Sequence, residues 1–229
     1  MRIGFWNCQR VGNIDTNNWF TADRTGFVWA TVEQWLKLAS PPDVLVLAEI
    51  TQSGEKLATA LNQDSFIQAK GYRAEFHAFA NKNGGASPCS MLVIGKIDRR
   101  GFQVDICGGR GLKRPYLKIT WNDKSFGACH AIANPNQALD EVTTIIDDLQ
   151  AQDVSVLIGD MNYDFANFSP DYQGYNQWKP MRWGDGPSFQ GKKTLDYVWH
   201  DSSTAVFPRE VPPHTDWAVI DHAPIAFEI

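Results

Sequence analysis

The sequence predicts an α/β fold in which two mixed β-sheets pack together with helices on the outside. Strand-like apolar runs recur along the 229-residue chain, helical patterns lie between only some of them, and several neighbouring runs are joined by short links. Short links predict hairpins, whose strands are antiparallel, so a purely parallel sheet is disfavoured. Two packed sheets with outer helices accommodate this mixture of elements best.

The predicted strands are short runs rich in β-branched and aromatic residues, bounded by turn-forming residues. Segments 116–121 and 125–131 are separated by so short a link that we expect them to form a hairpin. In chain order the predicted strands are Arg2–Trp6, Val44–Ala48, Arg73–Phe79, Ser90–Ile94, Phe102–Ile106, Tyr116–Trp121, Ser125–Ala131, Val154–Ile158, Thr194–Trp199 and Pro224–Ile229.

Helices are predicted where apolar residues recur with a period near 3.6. The segments with this pattern are Phe27–Leu38, Gly54–Asn62 and Gln137–Ala151. The last has the clearest apolar stripe, and Asn134-Pro135 before it is a typical helix start. Its stripe consists of Leu139, Val142, Ile145, Ile146 and Leu149.

Length and composition predict a single domain over residues 1–229, with 43% hydrophobic residues for its core. The net charge of -5 argues against a protein that holds nucleic acid mainly through a large positive field. It is compatible with an enzyme that brings a divalent cation to a phosphate.

We find no signal peptide and no membrane-spanning run, so we expect no membrane insertion. We then expect the protein to be cytoplasmic, or exported without a visible signal.

The four cysteines, Cys8, Cys89, Cys107 and Cys129, are scattered and lack the spacing of metal ligands. We expect small buried thiols in a reducing compartment, although an even number leaves disulfides open.

Polar side chains that could bind a metal or transfer a proton occur where predicted strands end. The stretch "VSVLIGDMNYDF" is an example, because Asp160 and Asn162 follow directly on a buried strand. Each such residue has an ordinary structural explanation, such as turn formation, a cap or a satisfied core histidine. Their recurrence at six strand ends favours one shared site. The other five ends carry Asn7, Glu49, His130, Asp196, and Asp221 with His222.

Spacing adds geometry to this pattern. Residues i and i+2 of an extended segment point the same way, so Asp160 and Asn162 should face one pocket. Asp221 and His222 are adjacent and should point apart unless the backbone turns, which would allow them two different roles.

The residue types indicate phosphoester hydrolysis. Glu49 and Asp221 are hard oxygen ligands and, with Asn7 nearby, suit Mg²⁺ or Mn²⁺. Zinc is disfavoured because no His/Cys cluster has its spacing. Asp160 and two histidines supply proton transfer and charge stabilisation, and no covalent nucleophile is evident. Water attack on a phosphate ester fits this set.

Together these segments resemble the endonuclease/exonuclease/phosphatase superfamily, which has the DNase I fold. The resemblance covers essentially the whole chain and is carried by "FWN", "LAEI", "CHA", "GDMN", "LDYVW" and "IDHAPI". The segment "GLKRPYLKITWNDKSFGACHAIAN" is also similar to the catalytic subunit of cytolethal distending toxin. The resemblance implies a four-layer α/β sandwich and Mg²⁺-dependent hydrolysis.

The resemblance also implies a role for each motif residue. Metal would be held by Glu49 and Asp221, with Asn7 close by. Asp160 would orient or deprotonate the attacking water, and Asn162 would hold Asp160 or the phosphate. The remaining implied roles are phosphate contact by His130 and His222, orientation of His222 by Asp196, and phosphate binding by Arg114.

Two departures from the family pattern stand out. Ile220 precedes Asp221 where the family usually has Ser, so a hydrogen-bonding hydroxyl is lost. The stretch "GGASPCSMLVIGK" offers no acid that could support His130, as a Glu does in DNase I.

The substrate is less well determined by the sequence. In "GGRGLKRP", glycines and the cations Arg110, Lys113 and Arg114 could approach a phosphate backbone. Trp178 and Trp183 could either stack on a base or anchor a long loop. We favour a DNA endonuclease. The alternatives are a phosphatase or phosphodiesterase of a lipid head group or small phosphoester, and a binding module that has lost catalysis, although every core motif residue is present.

Overall fold

A computed structural model describes most of the chain, namely residues 1–11, 23–51, 54–79, 87, 89–97, 101–108, 112–214, 216–217 and 219–229. Its helices are α1 (Asp23–Lys37), α2 (Gly54–Gln63), α3 (Ser65–Ala69) and α4 (Pro135–Gln150). Its strands are β1 (Arg2–Val11), β2 (Val44–Ile50), β3 (Tyr72–His77), β4 (Ser90–Lys96), β5 (Phe102–Cys107), β6 (Tyr116–Trp121), β7 (Lys124–His130), β8 (Val156–Asp160), β9 (Trp178–Arg182), β10 (Asp196–Asp201), β11 (Phe207–Pro208) and β12 (Ile225–Glu228).

Within these residues the strands form two mixed, six-stranded sheets. The first has the order β11-β12-β1-β2-β4-β3 and the second the order β5-β6-β7-β8-β10-β9. In each sheet the central pair is parallel, β1 with β2 and β7 with β8, and the outer pairs are antiparallel. The predicted hairpin of 116–121 with 125–131 is present as β6 and β7.

The sheets pack face to face, with the helices outside them. One buried apolar cluster joins the facing sides, for example Val46 of the first sheet with Ile158 of the second. The opposite side of the first sheet packs against α1, α2 and α3, and that of the second packs against α4. The predicted sandwich of two mixed sheets with outer helices is confirmed.

Some predicted boundaries and one loop were wrong. Strand β1 does not end near Asn7 but continues to Val11, with a register shift relative to β2 after Asn7. The segment around Trp178 was interpreted as a loop, yet it contains strand β9. Trp178 is fully buried in the core beneath α4, so it is an apolar anchor and no platform for a base. The half-buried Trp183 packs against the core between the sheets and donates its Nε1–H to the Arg209 carbonyl.

No disulfide links the four cysteines. Burial raises the pKa of the Cys8 and Cys129 thiols, so these two behave as the expected small apolar side chains. Cys89 and Cys107 are only partly buried, which the sequence did not predict. None of the helices in the described part of the chain combines the length and apolar character that a membrane span requires.

Candidate active site

The polar residues meet where the regular parallel pairing of β1 with β2, and of β7 with β8, stops. Register places His130 of β7 beside Asp160 of β8, and Asp196 of β10 opposite the same aspartate. From the other sheet, Asn7 donates its side-chain N–H to Asp160 Oδ2 at 2.9 Å. Both sheets therefore contribute to one group of side chains.

Asp160 lies at the centre of this group and is only 1% exposed. Besides the bond from Asn7, its Oδ1 accepts the Asn162 backbone N–H at 2.9 Å. The Nε2 atoms of His130 and His222 lie 3.6 and 3.7 Å from its Oδ2. The carboxylate is thus held by two hydrogen bonds between two imidazoles.

Asn162 shares a cavity with Asp160, but the extended backbone predicted for segment 160–162 was wrong. Its backbone is left-handed, with φ 48°, so segment 160–162 is not extended. Asn162 nevertheless lines the same cavity as Asp160, and its side-chain N–H donates to the Ala131 carbonyl at 2.8 Å.

Glu49 reaches the group from a distorted point in β2. Its backbone is also left-handed, with φ 56°, in a strand whose register with its neighbours shifts around this position. Its Oε1 lies 3.3 Å from the donating Asn7 Nδ2 and 3.5 Å from His130 Nε2. A left-handed conformation costs a residue with a side chain roughly 1–2 kcal/mol, and such distortion is often found at functional sites.

His222 and Asp196 form the shortest contact in the group. His222 Nδ1 lies 2.8 Å from Asp196 Oδ2, and both side chains are buried. Burial alone would lower the pKa of His222, but the Asp196 and Asp160 carboxylates outweigh it and raise the pKa to about 10. His222 is therefore a buried imidazolium at neutral pH.

The pKa of His130 is shifted in the opposite direction. Burial lowers its pKa to about 4, against the raising effect of Asp160. Its Nδ1 has no hydrogen-bond partner within the described residues. The site thus combines a neutral imidazole with a charged one, and two such environments allow a donor role and a charge-stabilising role.

The segment that carries Asp221 and His222 is held by its backbone. The Asp221 N–H donates to Gln9 Oε1 at 3.2 Å, and its carbonyl accepts from the Gln190 N–H at 2.7 Å. The Trp6 indole N–H donates to the His222 carbonyl at 2.7 Å. This path brings Asp221 Oδ1 to 3.8 Å from His222 Nε2, so the adjacent side chains converge on one site.

Ile220 has a structural role where the family usually has Ser. Its side chain is fully buried in the core between the first sheet and its helices. Its carbonyl accepts a hydrogen bond from His214 Nε2 at 2.9 Å, and burial lowers the pKa of His214, which favours the neutral donor. Apolar packing and this bond support the backbone next to Asp221.

Most of the predicted residues line a cavity of about 440 Å³. Asn7 and Asp196 are buried and do not line it, and Arg110 lies outside the described residues. The predicted residues on its wall are Glu49, Arg114, His130, Asp160, Asn162, Asp221 and His222.

Three further residues at the site were missed by sequence reasoning. Gln9 and Phe189 line the cavity, and the Phe189 ring meets the His222 ring edge-on at 4.8 Å between centroids. Neither stands in a pattern that marks it. Glu141 is a buried acid behind Arg114, and its place beside the apolar stripe of α4 was a usable signal.

The donor set fits a hard divalent cation. Four carboxylates face two imidazoles, and a buried Asp221 Oδ1 lacks a hydrogen-bond partner within the described residues. A buried carboxylate oxygen that lacks a hydrogen-bond donor is suited to a cation. Among the described residues, candidate ligand atoms of Asp160, Asp196 and His222 also lie within 4.8 Å of one another. Because His222 and Asp196 are already bonded to each other, the partly exposed carboxylates Glu49 and Asp221 suit an ion better.

Comparison with protein families settles the relationship. The model described as the Endonuclease/Exonuclease/phosphatase family matches residues 5–218. The chain belongs to the endonuclease/exonuclease/phosphatase family. This confirms the resemblance seen in the strand-end motifs and places the chain among phosphoester hydrolases. No curated protein matches.

Several solved structures share this fold across the whole chain. The cytolethal distending toxin of Haemophilus ducreyi is 16% identical, with a TM-score of 0.59 over 99% of this chain and 96% of the toxin chain. A mannosyl-6-phosphatase of Bacteroides thetaiotaomicron is 12% identical, with a TM-score of 0.61 over 100% of this chain and 98% of the phosphatase chain. A 3′-5′ exonuclease of Neisseria meningitidis is 14% identical, with a TM-score of 0.60 over 100% of this chain and 99% of the exonuclease chain. At these identities the likeness establishes the fold alone.

Proposed function

We propose that the protein is a divalent-metal-dependent phosphodiesterase, and specifically an endonuclease that hydrolyses DNA by attack of an activated water. The observation that carries this proposal is the Asp160 carboxylate, fixed by Asn7 and Asn162 between the imidazoles of His130 and His222. A fixed carboxylate can orient a water and accept its proton.

The two histidines act on the phosphate in this proposal. Neutral His130 donates a hydrogen bond to a phosphoryl oxygen, and the imidazolium of His222 offsets the charge that develops in the transition state. Asp196 holds His222 through the 2.8 Å contact and favours its charged form. Asn162 fixes Asp160 through its backbone N–H.

Glu49 and Asp221 would hold Mg²⁺ or Mn²⁺, with Asn7 supporting Glu49 through its amide. When bound, such a cation supplies charge compensation for the phosphoryl oxygens. The side chains of Glu49 and Asp221 are 19% and 16% exposed, which leaves an ion access from solvent.

DNA is favoured as substrate by cations near the cavity. Arg114 lines the wall, and Lys113 beside it is exposed. Lys192 and Lys193 lie in an exposed turn that follows the cavity-lining Phe189. No carboxylate pairs with these lysines within the described part of the chain, so they can contact backbone phosphates on either side of the cleaved bond. We propose the same role for Arg110.

A phosphatase of a small phosphoester or lipid head group is the second candidate. It is favoured by the net charge of -5, and by a relative of the same fold that is named a mannosyl-6-phosphatase. The same catalytic group would serve it, with water attacking a phosphomonoester.

The test is nicking of supercoiled plasmid in Mg²⁺, with and without EDTA, by wild type, Asp160→Ala and the control Asp171→Ala, which removes an exposed acid. We expect EDTA to stop nicking, Asp171→Ala to leave it unchanged, and Asp160→Ala to slow it about 10³-fold. Nicking that persists in EDTA or in Asp160→Ala contradicts the proposal. If folded wild type does not nick DNA in Mg²⁺ or Mn²⁺, phosphate release from a panel of phosphomonoesters tests the second candidate.

A further inference from the structure

Glu141 is a buried carboxylate outside the group described above. It lies on α4 among Ala138, Val142 and Ile145, and it is only 4% exposed. A carboxylate in such a place must have its oxygens satisfied by hydrogen-bond donors or a cation. What satisfies Glu141 therefore indicates what it does.

Three backbone N–H groups donate to this carboxylate. Oε1 accepts from the N–H of Lys113 at 2.7 Å and of Arg114 at 2.9 Å, and Oε2 accepts from the N–H of Ile132 at 2.6 Å. The first two precede β6 and the third follows β7. One side chain thus joins two chain segments that meet at the cavity.

Both segments carry residues of the proposed site. The Arg114 guanidinium donates through Nη1 to the Ala131 carbonyl at 2.8 Å and to the His130 carbonyl at 3.4 Å. The Ala131 carbonyl also accepts from Asn162 Nδ2. Glu141 therefore holds the main chain on both sides of the bond that orients the Arg114 side chain.

We infer that Glu141 is a positioning residue for substrate phosphate. Its carboxylate fixes the backbone of Arg114 and of Ile132, so that the guanidinium lies on the cavity wall with Nη1 engaged. Within the described residues no hydrogen bond occupies Nε or Nη2, which leaves them to a phosphate oxygen. This inference rests on the proposed function, because it assumes a phosphate in the cavity.

The substitution Glu141→Gln separates positioning from simple packing. An amide of the same shape has one acceptor oxygen, so its NH₂ group must face an N–H at one of the two segments. The control is Asp140→Asn, which makes the same change of charge at the adjacent, exposed position. Glu141→Asp is a second variant that keeps the charge but is too short to reach both segments.

The experiment is a double-mutant cycle with Arg114→Ala. It measures kcat and KM on whichever phosphoester the wild type hydrolyses, and the Kd of inorganic phosphate by calorimetry in Mg²⁺. We expect Glu141→Gln and Arg114→Ala each to raise KM and the phosphate Kd about 10-fold. The double variant should be no worse than Arg114→Ala alone, because Glu141 acts through Arg114. Asp140→Asn should match wild type.

An unchanged phosphate Kd in both Glu141 variants, or losses that add to that of Arg114→Ala, would overturn the inference and leave Glu141 a packing residue. The phosphate measurement also separates this inference from the proposed function. If wild type binds phosphate but hydrolyses no phosphodiester, only the proposed function fails. If wild type nicks plasmid but does not bind phosphate, only this inference fails.

Discussion

Gly159 allows the strand ends that carry His130 and Asp160 to approach each other, and this can be tested. It lies in β8 directly before Asp160, in register with Cys129 of the parallel strand β7. A Cβ at position 159 would lie 2.1 Å from the Cys129 carbonyl oxygen and 2.9 Å from the carbonyl carbon. Because these are backbone atoms, no rotamer change can relieve the clash.

The size of the effect follows from these distances. Restoring an ordinary contact at the carbonyl oxygen requires the strands to separate by about 1 Å. Overpacking against backbone costs about 3 kcal/mol, and a domain of this size loses about 2–4 °C in Tm per kcal/mol, so Gly159→Ala should melt about 6–12 °C lower. The same displacement moves Asp160 away from His130 and should slow the reaction about 10²-fold.

Thermal melts by circular dichroism and initial rates test both effects. Gly186→Ala is the matched control, since a Cβ there meets nothing within 4 Å. It should melt and react like wild type. If Gly159→Ala melts within about 2 °C of wild type and keeps its full rate, the close approach of β7 and β8 does not determine the site geometry.

Three further predictions concern other parts of the molecule. Asp196→Asn should lower kcat about 10²-fold, because the His222 imidazole loses the carboxylate that orients it and favours its charge; an unchanged kcat contradicts this. Asn7→Ala should raise the Mg²⁺ concentration that gives half the maximal rate about 10-fold, since the Asn7 amide orients Glu49. Rates measured across a Mg²⁺ titration check this, and equal midpoints for variant and wild type refute it. Burial lowers the pKa of His77 below 6.5 in the folded state, so the unfolded chain binds more protons below that pH and stability falls as pH falls. Urea unfolding at pH 7.5 and 5.5 should therefore show a smaller loss for His77→Gln than for wild type, and an equal loss counts against it.

Local patterns were sufficient for most of the elements and for naming most of the candidate site residues. The stripe from Leu139 to Leu149 predicted α4, and β-branched runs predicted the strands, because helix and strand periodicities are properties of neighbouring residues. Asp160 and His130 stood out because a polar group next to a buried strand needs a partner.

Other features depend on contacts between segments far apart in the chain. The left-handed backbone at Glu49, the burial of Trp178 and the three donors to Glu141 all depend on how the two sheets and α4 are placed against each other. No periodicity encodes those distances.

The sequence by itself determined two packed sheets, their outer helices and a set of acids, amides and imidazoles at strand ends. These follow from short-range periodicity and from the high cost of burying unpaired polar groups. Only the tertiary structure decided which of these residues touch, because register between strands sets their separation to within an ångström. It pairs His222 with Asp196, makes one imidazole charged and the other neutral, and brings Asn7 from the first sheet onto Asp160 of the second.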